Sequence, residues 1–343
     1  MKIRLLIYSF LIMLVVSLTA QETKENSRLE ELIFHVKKAP RVKTDYQKIA
    51  DHLVIIAKDD LEKAKLIYLW LCFNIKYDAL SFQKGKYQDP SPTVTMLNRK
   101  AVCSGYGNLF QAMGKQIGLE IEVVGGYSKG YGYRSGTVFK TGNHAWNVVK
   151  IGGKSILVDA TWGAGYVQKK KGKLQFVKKL NMYWFNTNPY EFAFTHLPDK
   201  AEKSLYQFIN PVLTLQQFSI NPTIDEAFFK LKLVDAKKAL SDLRKGMELN
   251  LPESFTIDID FEIQQAPLVL EKGKTYQFKC SSTNGLKMAV ITKNDFYQVH
   301  KSVNSTYVFE YTPQKKGDLQ LGIQYPDDPK KQFWTVLKYT IKK

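Results

Sequence analysis

Cysteine is scarce, three residues in a chain of 343, and a number that small and odd does not build a disulfide framework. The cysteines and the five histidines also miss the paired spacings of a metal site, so neither metal nor cofactor is expected. Glycines gather between Gly125 and Gly142 but lack the spacing of a dinucleotide fingerprint or a P-loop, which excludes nucleotide binding by either route. Acidic residues are outnumbered, 32 Asp and Glu against 50 Lys and Arg, for a net charge of +18. Such a surplus suits association with an anionic cell-envelope surface, although lysines spread for solubility explain it more simply. Lys169, Lys170, Lys171 and Lys173 around Gly172 read as a solvated hairpin tip. Aromatic and basic residues do not interleave as in a nucleic-acid module, so no nucleic-acid partner is expected.

Long apolar runs are missing beyond residue 20. Leu5 to Leu18 follows Lys2 and Arg4 and gives way to Thr19-Ala20-Gln21; it is shorter than the roughly 20 residues of a bilayer span. Residues 1–20 are therefore expected to be a secretory signal peptide cut after Ala20, with an uncleaved anchor as the alternative. The cut removes Lys2 and Arg4 and takes the net charge from +18 to +16. The mature chain is then exported, to the periplasm, the cell surface or the medium.

What remains suffices for two domains, expected over 21–212 and 213–343. The first reads as helices, then mixed helix and strand. Leu29, Leu32, Ile33 and Val36 form one apolar stripe, and Leu61, Ala64, Lys65, Tyr68, Leu69 and Cys72 follow at helical spacing behind Asp59-Asp60. Thr93 to Asn98 fits a short helix. Another should begin near Cys103, with Leu109, Phe110, Met113 and Ile117 on one face and Gly118 to end it. Glu120 to Gly126 reads as a strand. His144–Ile151 and Lys154–Thr161 read as two more, joined through Gly152-Gly153 in a hairpin. A linker helix over Asp235–Leu249 precedes strict alternation at Phe255, Ile257, Ile259, Phe261 and Ile263, then at Tyr276, Phe278 and Cys280, and at Tyr307, Phe309 and Tyr311. With turn signals such as Glu271-Lys272-Gly273 and Asn284-Gly285 between them, these predict an all-β, immunoglobulin-like sandwich.

The cysteines differ in their surroundings. Cys72 lies in the apolar run Leu69–Phe73 and Cys280 in a strand pattern, both places for a small buried residue. Cys103 stands at a helix start, where unpaired backbone N–H groups and the helix dipole favour a thiolate and can hold an oxyanion. Ser104, Gly105 and Gly107 leave room for a substrate backbone. Each member alone is weak evidence: such a cysteine can be a buried helix-start residue, a lone His is more often a surface or satisfied core residue, and an Asp at a strand end is commonly a turn cap. The hairpin changes the balance. With Ile151 opposite Lys154, Trp146 opposes Asp159 and His144 opposes Thr161, so His144 and Asp159 are same-face diagonal neighbours, roughly 7 to 8 Å apart at Cα and within hydrogen-bonding reach. Cys103 as nucleophile, His144 as base and Asp159 as the group that orients it meet the needs of a thiol hydrolase. Among the other histidines, His35 and His52 fall on upstream helices and His300 in the β-rich region. His196 is the one rival, without an equally placed carboxylate.

Three blocks, Ala101-Val102-Cys103-Ser104-Gly105-Tyr106, Asn143-His144-Ala145-Trp146-Asn147 and Val158-Asp159-Ala160-Thr161-Trp162-Gly163-Ala164-Gly165, resemble those of the transglutaminase-like superfamily, most closely its branch around the kyphoscoliosis peptidase. The resemblance spans about Leu61 to Pro211. It implies an α+β fold with a papain-like, transglutaminase-like core, and the same Cys, His and Asp roles at Cys103, His144 and Asp159. It implies a cysteine-dependent amide-bond hydrolase acting on a protein or peptide, with protein crosslinking or a catalytically silent binding module as alternatives. No calcium-loop pattern is present, which disfavours the calcium-regulated animal type. An upstream aromatic or amide side chain can supply a second oxyanion donor in this superfamily. Trp70 and Tyr77 are the candidates, and both read better as core residues of the preceding helix.

Overall fold

The computed structural model describes residues 24–133, 137–170, 172–221, 224, 226–230, 234–247, 252–254, 261–267, 269–282, 286–299, 306–326 and 331–341. The apolar run Leu5–Leu18 with its expected cut after Ala20, Lys171, Phe255, Ile257, Ile259, the Asn284-Gly285 turn and His300 lie outside the described residues. Among the described residues no helix is long and apolar enough to cross a membrane. Two compact units emerge. One comprises the described residues up to Tyr127 with Thr141–Thr187 and Pro198–Tyr206; the other comprises Ser128–Lys140, Asn188–Leu197 and the described residues from Gln207 onward.

The first unit opens with helices α1 (24–37), α2 (Tyr46–Val54) and α3 (Asp60–Asn74). Asp45 and Asp59 start α2 and α3 by accepting hydrogen bonds from Lys48 N and Glu62 N, as N-cap carboxylates do. The sequence predicts one apolar stripe on α3. The structure instead buries Ala64 and every residue from Leu66 to Cys72, because this helix lies at the centre of the unit's core and is covered on all sides. Strand β1 (Lys76–Tyr77), α4 (Ala79–Lys84), α5 (Pro92–Asn98) and β2 (Lys100–Ala101) lead to α6 (Cys103–Gln116). Helix α6 starts at the residue the sequence indicates, and Gly118 beyond its end takes a positive φ of 81°, which glycine adopts without strain.

Three antiparallel strands, β3 (Glu120–Ser128), β4 (His144–Ile151) and β5 (Lys154–Val158), form a meander. Gly152 and Gly153 both have positive φ, 54° and 76°, the geometry of a tight two-residue hairpin turn. The β4–β5 register runs from Ile151↔Lys154 to Asn147↔Val158, as the diglycine turn predicts. The second strand is shorter than expected, however. It stops at Val158, and Ala160–Ala164 form helix α7, so Trp146–Asp159 and His144–Thr161 are not ladder pairs; His144 faces Gly126 of β3. The cause is Asp159 itself, whose carboxylate caps α7 and turns the chain out of the sheet. Strands β6 (Gly165–Lys170) and β7 (Lys173–Lys178) make the lysine-rich hairpin, with Gly172 at φ 78° in its tip.

The second unit ends in a β-sandwich. One sheet orders Phe261–Gln265, Tyr276–Ser282 and Thr306–Tyr311; the other orders Phe296–Val299, Lys287–Thr292, Gly317–Gln324, Trp334–Ile341 and Glu253–Ser254. All the described pairings within it are antiparallel. Alternate residues enter a common core: Phe278 stacks on Phe309 at 5.0 Å and meets Tyr339 edge-on at 6.3 Å. The linker helix spans Ala236–Arg244, shorter than its sequence pattern suggests.

Candidate active site

The turn that delivers the chain to Cys103 is built by β1 and β2. Lys76 N donates to Arg99 O and Asp78 N to Ala101 O, in a parallel pair that sets Tyr77 beside Ala101. Arg99 takes a left-handed φ of 49°, a conformation uncommon outside glycine. Its guanidinium bonds Val42 O at 2.6 Å and lies over the Trp70 ring. Asp78 caps α4 through Ser81 and pairs with Lys100 at 3.3 Å. Val102 is extended and offers no side-chain cap to α6. The amides of Gly105 and Tyr106 both return to Val102 O, and those of Cys103 and Ser104 have no acceptor among the described residues. Cys103 itself is partly exposed, unlike Cys72 and Cys280, which are buried.

Gly105 and Gly107 serve a different purpose from the one their sequence position suggests. Both are buried. A Cβ on Gly105 would stand 2.5 Å from Ala101 Cβ and 2.7 Å from Thr95 Oγ1, and one on Gly107 would stand 3.3 Å from Val123 Cγ1. Their missing side chains let α6 approach its supports rather than admit a substrate.

His144 lies on β4 with its side chain buried, and its Nε2 is 2.7 Å from Asp159 Oδ2. The Cys103 sulfur also acts on the ring, favouring its protonated form. Asp159 is fully buried. Its Oδ1 accepts from Thr161 N at 2.8 Å and Trp162 N at 3.0 Å, and its own N–H donates to Trp184 O. The carboxylate is therefore held at both oxygens. Trp162 and Trp146 flank the imidazole, at 5.4 and 6.2 Å between ring centroids. Burial pushes the imidazole down from its ordinary value, but the charge and hydrogen bond of Asp159, with the Cys103 sulfur, outweigh it and raise His144 to about 10. The imidazolium thus persists at neutral pH. Burial, with the Asp159 charge, pushes the Cys72 thiol well up, and burial raises Cys280 to about 12.

The structure brings Cys103, His144 and Asp159 together. His196 has Nδ1 against Thr195 Oγ1 at 2.9 Å and its ring stacked on Phe192 at 3.8 Å. His35 and His52 stack on each other between α1 and α2. Trp70 is buried in α3, as expected for a core residue. Tyr77 is on β1 rather than on the helix, and its ring packs against Phe82 and Phe176. Its hydroxyl makes no hydrogen bond among the described residues, whereas the buried Tyr68 and Tyr106 donate to Asn181 O and Ile75 O. Burial first, and the Cys103 charge next, raise the Tyr77 hydroxyl, which stays protonated as a donor. Sequence reasoning missed Asn147, whose buried amide bridges α6 and β3, and the capping amides of Thr161 and Trp162. An aspartate immediately before a short helix-compatible run was the one local sign of the cap.

Residues 47–163 match the transglutaminase-like superfamily. The chain is 34% identical over 298 residues to the kyphoscoliosis peptidase of Homo sapiens, covering 83% of this chain and 42% of that protein. It is 33% identical to the Mus musculus kyphoscoliosis peptidase over 59% of this chain and 30% of that protein, and 28% identical to hillarin of Drosophila melanogaster over 51% of this chain and 22% of that protein. The chain thus spans less than half the length of the curated relatives it matches. With its mixed helix-and-strand content and its C-terminal antiparallel sheets, the chain carries a transglutaminase-like domain over residues 47–163.

Proposed function

We propose that this protein is a cysteine-dependent enzyme that cleaves amide bonds in a protein or peptide through an acyl-enzyme intermediate. The observation that carries the reading is the buried 2.7 Å hydrogen bond from Asp159 to His144, whose imidazole also responds to Cys103 at a helix start without a side-chain cap. The Cys103 thiolate attacks the carbonyl carbon, a C–S bond forms, and the carbonyl π pair moves onto oxygen. That oxygen is met by the backbone amides of Cys103 and Ser104 at the start of α6, which have no acceptor among the described residues. As the tetrahedral centre collapses and the C–N bond breaks, the His144 imidazolium protonates the departing amine. Water then attacks the thioester while His144 takes its proton; the C–S bond breaks and thiolate and imidazolium are restored. The two indoles beside His144 limit water around the ion pair, which strengthens it.

Brief alkylation tests the reading without a substrate. Only a thiolate reacts quickly with iodoacetamide, and an ordinary cysteine is mostly thiol at about pH 6. Peptide mapping after labelling at that pH should find Cys103 modified first, with Cys72 and Cys280 protected by burial. His144→Ala should slow Cys103 markedly. Equal labelling of Cys103 and Cys280, indifferent to His144→Ala, would sink the proposal.

Tyr77 is the second oxyanion donor in this scheme, supported by its protonated hydroxyl, which makes no hydrogen bond among the described residues, and by its strand pairing with Ala101, two residues before Cys103. Acylation by p-nitrophenyl acetate develops an oxyanion, whereas alkylation by iodoacetamide does not. Tyr77→Phe should therefore slow acetylation of Cys103 by about 100-fold and leave its alkylation and the Tm unchanged. Unaltered acetylation, or equal loss of both reactions, removes Tyr77 from the mechanism.

A further inference from the structure

Asn147 is an amide in a place that favours hydrocarbon. It is buried on β4, flanked in sequence by Trp146 and Val148, both also buried. Its Nδ2 donates to Gly107 O of α6 at 3.1 Å and to Glu122 O of β3 at 3.3 Å. A polar group in such a position is costly unless bonded, and one bonded to two elements constrains them more sharply than apolar packing does. The elements joined here matter. Gly107 lies one helical turn along α6 from Cys103, and Asn147 lies three residues along β4 from His144. Gly107 also has no Cβ where the Asn147 amide approaches, at 3.7 to 3.9 Å from the position a Cβ would take. Helix and amide are thus fitted to each other.

We infer that Asn147 is a positioning residue that sets the separation of the Cys103 sulfur and the His144 imidazole by tying the helix that carries one to the strand that carries the other. The inference rests on the reading of Cys103 and His144 as a reacting pair. A comparable tie supplies its control: Gln111, one turn further along α6, donates to Ile121 O of β3 at 2.7 Å. It is not on the strand that carries His144. If buried hydrogen bonds merely hold the fold, losing either tie should have the same kind of effect.

The experiment is the pH profile of Cys103 alkylation by iodoacetamide on the full chain, read with the Tm, for the parent, Asn147→Leu and Gln111→Met. If Cys103 and His144 react as a pair, the parent should show alkylation of Cys103 persisting at low pH as a low-pH limb. Asn147→Leu should lower the rate at about pH 6 on the order of tenfold or more, since displacements near 1 Å in a reacting geometry have effects of that size. The rate at high pH, where any thiol ionises, should be unchanged. Gln111→Met should lower the Tm and keep the low-pH limb. Asn147→Ser, smaller and still polar but too short to bridge, should repeat the Asn147→Leu profile and guards against a variant that fails to fold. An intact low-pH limb in folded Asn147→Leu or Asn147→Ser overturns the inference, as does equal loss of the limb in Gln111→Met. A parent protein without a low-pH limb overturns the reacting pair itself, and the role of Asn147 with it.

Discussion

Asp159 performs two tasks with two oxygens. Oδ1 holds the amides of Thr161 and Trp162, and Oδ2 holds His144. Substitution can separate them. Asparagine caps helices about as well as aspartate, so Asp159→Asn should keep α7 and the fold while turnover falls by several orders of magnitude, because a neutral amide cannot balance the imidazolium. Asp159→Ala loses the cap as well, and its Tm should drop further, by about 0.5 to 2 kcal/mol of additional destabilisation. The pH dependence follows from His144, which is raised above its ordinary 6.5 to about 10 in the folded protein. A raised imidazole contributes stability that is fully present below its ordinary value and is lost as the pH rises through the folded value. The stability difference between the parent and Asp159→Asn should therefore be largest below about pH 6.5 and shrink through the alkaline range. Denaturant titrations at several pH values, with NMR titration of the His144 ring, would read both effects. A difference that does not vary with pH would show that Asp159 acts only as a cap.

The element that determines the site is α6, and two glycines in its first turns set how closely it packs. Helix propensity alone favours Gly105→Ala by about 1 kcal/mol. The structure argues the opposite sign: the new methyl would meet Ala101 Cβ and Thr95 Oγ1 inside normal contact, and overpacking costs about 1 to 3 kcal/mol. A lower Tm and slower alkylation of Cys103 are expected, since the helix start must move. A higher Tm would mean that propensity wins and that the contact relaxes freely. Sequence inspection reads these glycines as space for a substrate, because only the fold reveals Ala101 and Thr95 opposite them. Similarly, the periodicity of α3 indicates one buried stripe, yet its remaining faces are covered too, by elements distant in the chain.

At the scale of the whole molecule, each unit has an apolar core of its own among the described residues. One is centred on α3 and α6; the other lies between the sheets of the sandwich. Phe278 is buried in the second against Phe309, and Phe278→Ala should destabilise the sandwich by about 3 to 5 kcal/mol. Cys280, on the same strand and in the same core, reports the outcome directly. Its alkylation should accelerate in Phe278→Ala, while the rate at Cys103 should stay at the parent value. A change at Cys103 of similar size would mean that the two cores are energetically coupled.

The sequence by itself determined the features that depend on local patterns. A 3.6-residue period and a terminal glycine delimit α6 and place Cys103 at its start, and Gly152-Gly153 sets the β4–β5 register. Strict alternation marks the strands of the sandwich. From these alone His144 and Asp159 come within reach of each other. Tertiary structure decided the rest. Asp159 leaves the strand for a helix cap, with its backbone fixed by Trp184 O, and Tyr77 stands on a strand beside Ala101 instead of within the helix core. Asn147 acquires its partners only when α6 lies against β4 and β3. Periodicity and turn chemistry are properties of a few neighbouring residues. Which carbonyl a buried amide reaches, or what fills the space beside a glycine, depends on segments that meet only when the chain packs.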